Sequence, residues 1–203
     1  MRIDDLLARG GLPAELRLLV LTLVAAWRGD QATLAEAARR GKLRGQRRED
    51  FEETLLQAVL FAGFPRVVSA FETLAEAWPT DTAPRGGALP VAEQTAAGQA
   101  LFAAIYGRNE KAVHAMLRSF HGEFHDFVLE AAYGRILTRP GLSGRVREML
   151  AAGVLAAQDQ RRQFAGHGRG AMHLGATRDE LREVLATVFD DADVVEGWMG
   201  RLR

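Results

Sequence analysis

The chain has 203 residues, 48% of them hydrophobic and 26% charged, and its 26 basic and 26 acidic side chains cancel. That apolar share is enough to fold, and zero net charge supplies no field for attracting nucleic acid or an anionic membrane. The absence of cysteine removes disulfides, thiolate nucleophiles, CxxC redox chemistry and thiolate zinc sites.

The opening MRIDDLLARGG has neither the continuous apolar core nor the small-residue cleavage site of a signal peptide. The apolar run Leu16–Trp27 is interrupted by Arg17 and falls short of the roughly 20 residues that span a bilayer. The expectation is a soluble, cytoplasmic protein with no membrane partner. Alanine, leucine, arginine and glutamate abound, and apolar positions recur at three- and four-residue spacing. The pattern predicts helices over 12–27, 30–40, 48–61, 65–78, 93–106, 109–119, 122–137, 143–157, 160–173, 177–189 and 191–202, with no sheet. Asp30 is placed to cap a helix that stops at Gly41, and Thr177 with Glu180 has capping-box spacing. Pro79 and Pro140 each follow a helix end. The stretch PTDTAPRGGALPVA, 79–92, holds three of the six prolines and two adjacent glycines, and reads as a linker between units 1–78 and 93–203.

The two halves are related. An ungapped offset of 130 residues aligns Gly11–Leu12 with Gly141–Leu142, Arg17 with Arg147 and Arg39 with Arg169. It also pairs Gly45 with Gly175, Arg48 with Arg178, Glu53 with Glu183 and Leu55 with Leu185. Matches at caps, turns and charged positions are not what helical periodicity alone produces, so the expectation is an all-α, pseudo-symmetric bundle of two tandem helical units.

Glu148 and His167 stand equidistant from a turn expected near Gln158–Asp159. In an antiparallel hairpin such residues lie at nearly the same height and face one another. A carboxylate and an imidazole so placed either pass protons near neutral pH or form a buried ion pair that only fixes the packing.

The run YGRILTRPGLSGRVREML, 133–150, resembles the helix–RPGL–helix segment of the carboxymuconolactone decarboxylase family. HLGATRDELREVL, 173–185, resembles that family's later turn and helix, and EDFEETLLQAVLFAGFPRVVSAFETL, 49–74, its "YaGfP" helix pair. The family includes alkylhydroperoxidase D-like proteins, whose site is a Glu, two cysteines and a His. The resemblance places that Glu at Glu148 and that His at His167, and puts Gln160 and Gln163 where the cysteines would stand. Glutamine can neither attack a peroxide nor resolve a disulfide, so thiol peroxidase chemistry is excluded. The decarboxylase branch uses neither metal nor organic cofactor, and the resemblance therefore implies none here. The first half departs from the pattern, with Leu18 in place of Glu148 and Ala37 in place of His167, while Gly63–Phe64–Pro65 becomes Asp193–Val194–Val195 in the second.

An enzyme of this kind is a cofactor-free decarboxylase or related lyase acting on a small cyclic carboxylic acid. His167 and Glu148 are the catalytic candidates, and Arg147, Arg161 or Arg162 the candidates for holding the substrate carboxylate. A non-catalytic member that binds a small molecule or serves as an oligomeric module is the other reading. His121 and His125 fail the known zinc spacings and read as packing or interface residues; no metal site is expected, and His114 and His173 have no recognisable partner. The basic run Arg39–Arg48 is followed at once by Glu49, Asp50, Glu52 and Glu53 and reads as helix-terminal charge rather than a nucleic-acid surface. Phe120, Phe124, Phe127 and Tyr133 form a stripe expected in the core or at a subunit interface. Because family members resemble blocks that assemble into rings, a chain carrying two blocks is expected to self-associate, as a trimer before a dimer.

Overall fold

The computed structural model describes residues 3–82 and 87–202, so part of the expected linker, 83–86, lies outside the described residues. No strand occurs among the described residues; the chain is a helical bundle. The helices are α1 (Ile3–Ala8), α2 (Ala14–Arg28), α3 (Gln31–Leu43), α4 (Arg48–Ala77), α5 (Val91–Tyr106), α6 (Glu110–Phe120), α7 (Gly122–Phe127), α8 (Gly144–Ala157), α9 (Arg161–His173), α10 (Arg178–Val188) and α11 (Ala192–Met199). Helix α7 runs directly into a π-helix, Val128–Leu137.

Local chemistry sets most boundaries. Asp30 accepts from the Thr33 amide at 3.0 Å, and Thr177 with Glu180 forms the reciprocal capping box. Gly29 (φ 74°) and Asp159 (φ 54°) turn the chain after α2 and α8 respectively, at positions 130 residues apart. Three elements depart from expectation. Helix α1 carries no strong periodic signal and docks through Leu6. Helix α3 continues through Gly41 because that glycine is a packing site: a Cβ there would lie 2.4 Å from the Phe51 ring. The helix expected over 122–137 widens to π geometry where it meets α5, with the Gly98 and Gly134 backbones in contact; a Cβ on Gly98 would sit 2.7 Å from the Gly134 nitrogen.

Helix α4 is long and apolar enough by composition to cross a membrane. It is nonetheless two arms, broken at Gly63 (φ 72°, ψ 170°) with Pro65 opening the second. Neither arm approaches the roughly 20 residues of a span, and the first buries Glu53, Thr54 and Gln57 against its neighbours.

Helices α2 and α8 pack together at the centre, α3 and α4 cover α2, and α9 and α10 cover α8. One continuous apolar core runs through both halves, from Leu18, Leu23, Leu34 and Phe51 to Met149, Leu150, Phe164 and Leu181. Leu18 and Ala37, which stand 130 positions before Glu148 and His167, are fully buried in it.

Two arginines cross between the halves. Arg147 (1% exposed) bridges to Glu53 Oε2 at 2.7 Å, and Arg17 (0% exposed) bridges to Glu183 Oε2 at 2.6 Å. Each also donates to a carbonyl of its own half, Arg139 and Gly10 respectively. The second guanidinium on each carboxylate is also matched, Arg139 on Glu53 and Arg9 on Glu183. Gln57 and Thr187 occupy equivalent places beside Arg147 and Arg17. Every residue named in one bridge is thus 130 positions from its counterpart in the other, the two backbone acceptors apart.

Candidate active site

The turn at Gln158–Asp159 joins α8 to α9 as an antiparallel hairpin and brings Glu148 opposite His167. His167 Nδ1 lies 2.9 Å from Glu148 Oε2. The carboxylate is 1% exposed and the imidazole 16%, so the pair sits in a medium where its charges are felt strongly. Burial lowers the His167 pKa, but the charge of Glu148 and its hydrogen bond outweigh that and hold it above the ordinary imidazole value. Gly170, one turn along α9, makes room for the carboxylate: a Cβ there would stand 2.7 Å from Glu148 Oε2. The other carboxylate oxygen, Oε1, is buried and without a hydrogen-bond partner among the described residues.

With Nδ1 turned to Glu148, the Nε2 side of His167 is left to the cavity that the ring lines. This cavity, about 490 Å³, lies between α9 and the α5–α6 segment. From α9 come Arg162, Gln163, Arg169 and His173; Tyr106 closes α5, and α6 supplies an apolar wall with Val113, Met116 and Phe120. Arg169 has no acidic partner among the described residues, and the Arg162 guanidinium touches only the Met116 sulfur, at 2.6 Å. Two cations therefore face a cavity that contains no carboxylate on its wall. His173 donates from Nδ1 to the Ile105 carbonyl at 2.9 Å, which fixes its ring.

The structure brings Glu148, His167 and Arg162 to one place and sends the other candidates elsewhere. Arg147 is committed to Glu53 across the core and does not reach the cavity; its position beside Glu148 in sequence turns it to the opposite face of α8. Arg161 is exposed and pairs with Asp159 at 2.9 Å. Sequence reasoning missed Arg169, His173 and Tyr106. The first two follow His167 on the same helix but at i+2 and i+6, off its i+3/i+4 face, and share a stripe with Arg162 and Gly166 instead; Tyr106 comes from α5, and nothing in the sequence ties it to α9.

Of the remaining histidines, His114 and His125 hold one another. His125 is buried, receives His114 at 2.9 Å and holds Asp126 at 2.7 Å, while His114 stacks on Phe102 at 4.4 Å. His121 is exposed and extended at the start of α7. Among the described residues no three histidine or carboxylate side chains converge to hold a metal ion. The basic run is spent on acids: Arg40 on Asp4 and Glu36, Arg44 on Glu15, Arg47 on Asp50 and Arg48 on Glu52. Of the aromatic stripe only Tyr133 is core; Phe120, Phe124 and Phe127 are 63%, 48% and 67% exposed. Phe124 and Phe127 ride on the outer face of α7, Phe120 stands at the rim of the cavity, and none of the three joins the small second cluster around Phe102 and Ile105.

The carboxymuconolactone decarboxylase family matches residues 122–195, the stretch that carries the Glu148–His167 hairpin. Over that stretch the chain is similar to the family. A curated 4-carboxymuconolactone decarboxylase of Acinetobacter baylyi is 32% identical over 69 residues, which make up 34% of this chain and 52% of that protein. The chain thus spans about half the length of the curated relative it matches. Helices α1–α6 lie outside the family match, yet α5 and α6 build part of the cavity wall.

Proposed function

We propose that this cavity performs a cofactor-independent decarboxylation of a small cyclic carboxylic acid of the 4-carboxymuconolactone type. The observation that carries the reading is a buried Glu–His pair whose free imidazole edge faces a cavity flanked by Arg162 and Arg169. Loss of carbon dioxide leaves a dienolate, which must be stabilised and then reprotonated at carbon. His167, whose pKa Glu148 holds above the ordinary imidazole value, is the acid for that step. Arg162 and Arg169 are the groups suited to hold a carboxylate as the ring is positioned. The family match and the partial likeness to a 4-carboxymuconolactone decarboxylase support the reaction class.

The test is incubation with 4-carboxymuconolactone and related lactones, following carbon dioxide release. Turnover by the wild type that is lost in His167→Ala is expected. No wild-type turnover, or turnover unchanged in the variant, ends this reading. The second reading, a non-catalytic binding or oligomeric module, draws on Leu18 and Ala37, buried where the first half would need a Glu and a His. We read the halves as diverged copies of one unit, a reading supported by the matched cross-bridges of Arg17 and Arg147. In that reading covalent linkage let one copy lose its site while the other kept it.

A further inference from the structure

Tyr106 and Tyr133 share a hydrogen bond, hydroxyl to hydroxyl, at 2.9 Å. Their rings are set by Phe102, whose centroid lies 4.5 Å from one and 4.8 Å from the other. Two hydroxyls carry two protons, and their mutual bond uses one. Neither hydroxyl has another hydrogen-bond partner among the described residues, and neither bonds to Glu148. Tyr133 is 3% exposed. Were Tyr133 the acceptor, its own proton would be stranded in the apolar cluster as a buried, unpaired donor. Tyr133 is therefore the donor and Tyr106 the acceptor, which leaves the Tyr106 proton for the cavity that its side chain lines. A hydroxyl that accepts one bond while donating another is the stronger donor for it. Burial raises both phenol pKa values and the nearby Glu148 charge adds to this, so both hydroxyls keep their protons through neutral pH.

We infer that Tyr106 is a further catalytic residue, donating a hydrogen bond to the substrate oxygen that becomes negative as carbon dioxide leaves, with Tyr133 as its positioning residue. This rests on the decarboxylase reading for the identity of that oxygen. The bond between ring carbon and carboxyl carbon breaks, its electron pair runs through the ring double bond to the lactone carbonyl oxygen, and carbon dioxide departs. Tyr106 stabilises the oxygen without giving up its proton. His167 then delivers its Nε2 proton to carbon, the pair returns to re-form the carbonyl, and solvent recharges the imidazole.

The test compares Tyr106→Phe, Tyr133→Phe and the double variant, each of which removes only hydroxyls. With the lactone, Tyr106→Phe is expected to lower kcat by about 10²–10³-fold with KM within about threefold, the usual loss for one oxyanion donor. Tyr133→Phe is expected to lower kcat by about tenfold, and the double variant to match Tyr106→Phe alone, because Tyr133 acts through Tyr106. A Tyr106→Phe kcat within about threefold of wild type overturns the inference, as does a double variant whose losses multiply. If the wild type does not turn over the lactone, the decarboxylase reading fails by itself and 4-nitrophenolate serves as the probe for the donor. A blue-shifted absorption band on binding to the wild type, with affinity at least about tenfold weaker and no shift in Tyr106→Phe, supports the donor. No spectral change with millimolar probe, or equal change in both proteins, overturns it.

Discussion

Arg147 crosses the core to reach Glu53 at 2.7 Å, carrying a guanidinium that is 1% exposed from one half of the chain to the other. Arg17 makes the same crossing in the opposite sense to Glu183. Breaking a buried pair costs about 3–5 kcal/mol, and here it removes the more buried of the two guanidiniums on each carboxylate and leaves Arg139 or Arg9 as the remaining partner. Arg147→Met and Arg17→Met are each expected to destabilise the protein by that order in urea unfolding, whereas Arg161→Ala is expected to change stability by less than about 0.5 kcal/mol. Losses under about 1 kcal/mol for both buried arginines would show that Arg139 and Arg9, the second partners, suffice alone.

The same carboxylates set an acid limit. Burial raises the pKa of Glu53 and of Glu183, but hydrogen bonds and charge from two arginines each bring the net value below the ordinary one. A lowered folded pKa adds stability above the unfolded value of about 4.3, and that increment is lost as pH falls through the folded value. Stability is expected to drop steeply below about pH 4, and Glu53→Gln/Glu183→Gln, though less stable at pH 7, to show a shallower acid slope. Equal slopes in the two proteins would mean that these carboxylates are not the acid-sensitive groups.

His167 works with the opposite sign. Its raised folded pKa adds stability below the unfolded imidazole value of about 6.5, and that increment is lost as pH rises through the folded value. In the decarboxylase reading the rate falls over the same interval, because only the protonated ring is an acid. Glu148→Gln removes the carboxylate charge while keeping the shape, so the alkaline limb of the rate profile and the NMR titration of His167 are both expected to move to lower pH. A His167 titration that is unmoved by Glu148→Gln would uncouple the pair.

Much of this is legible in the sequence. The Glu148–His167 juxtaposition follows from counting outward from one hairpin turn, because a helix rises by a fixed step per residue. The two arms of α4 follow from the Gly63–Phe64–Pro65 punctuation, and the caps at Asp30 and Thr177 from side-chain chemistry alone. What failed has a common cause: position along one helix does not say which neighbour a side chain meets. Arg147, next to Glu148 in sequence, lies on the other face of α8 and serves the core, while Arg169, two residues past His167, reaches the cavity. Gly41 looked like a helix stop and is instead the seat of the Phe51 ring, a contact visible only once α3 and α4 are packed together. The exposure of Phe120, Phe124 and Phe127 could not be foreseen, since an aromatic stripe reads the same whether a partner covers it or not.

Exposed apolar side chains on two faces bear on assembly. Phe64 and Val68 are 73% and 57% exposed on the second arm of α4, and Phe120 and Phe127 are 63% and 67% exposed on α6 and α7. Clusters of this kind mark association surfaces. Self-association is the expected outcome, with a trimer, three times 22.2 kDa, ahead of a dimer. Light scattering coupled to size-exclusion chromatography measures the mass directly, and a single peak at one chain's mass at micromolar concentration would overturn this.

Gly170 offers the sharpest separation of site from scaffold. It lies inside α9, where alanine is favoured over glycine by about 1 kcal/mol. A Cβ at this position would stand 2.6 Å from Ile105 Cγ2 and 2.7 Å from Glu148 Oε2, and both residues are 1% exposed, with little room to yield. Overpacking of that kind costs about 1–3 kcal/mol, so Gly170→Ala is expected to be destabilising despite its helix propensity. The carboxylate must also shift away from α9, which breaks its 2.9 Å contact with His167. The His167 pKa is then expected to fall, and with it any acid-dependent rate near neutral pH. Gly166→Ala is the matched control: its Cβ would meet only Tyr106 Cε1, at an ordinary 3.7 Å, so the helix gain should appear as added stability of up to about 1 kcal/mol. If thermal unfolding places Gly170→Ala at or above Gly166→Ala, and His167 titrates as in the wild type, the carboxylate is not held in place by the missing Cβ of Gly170.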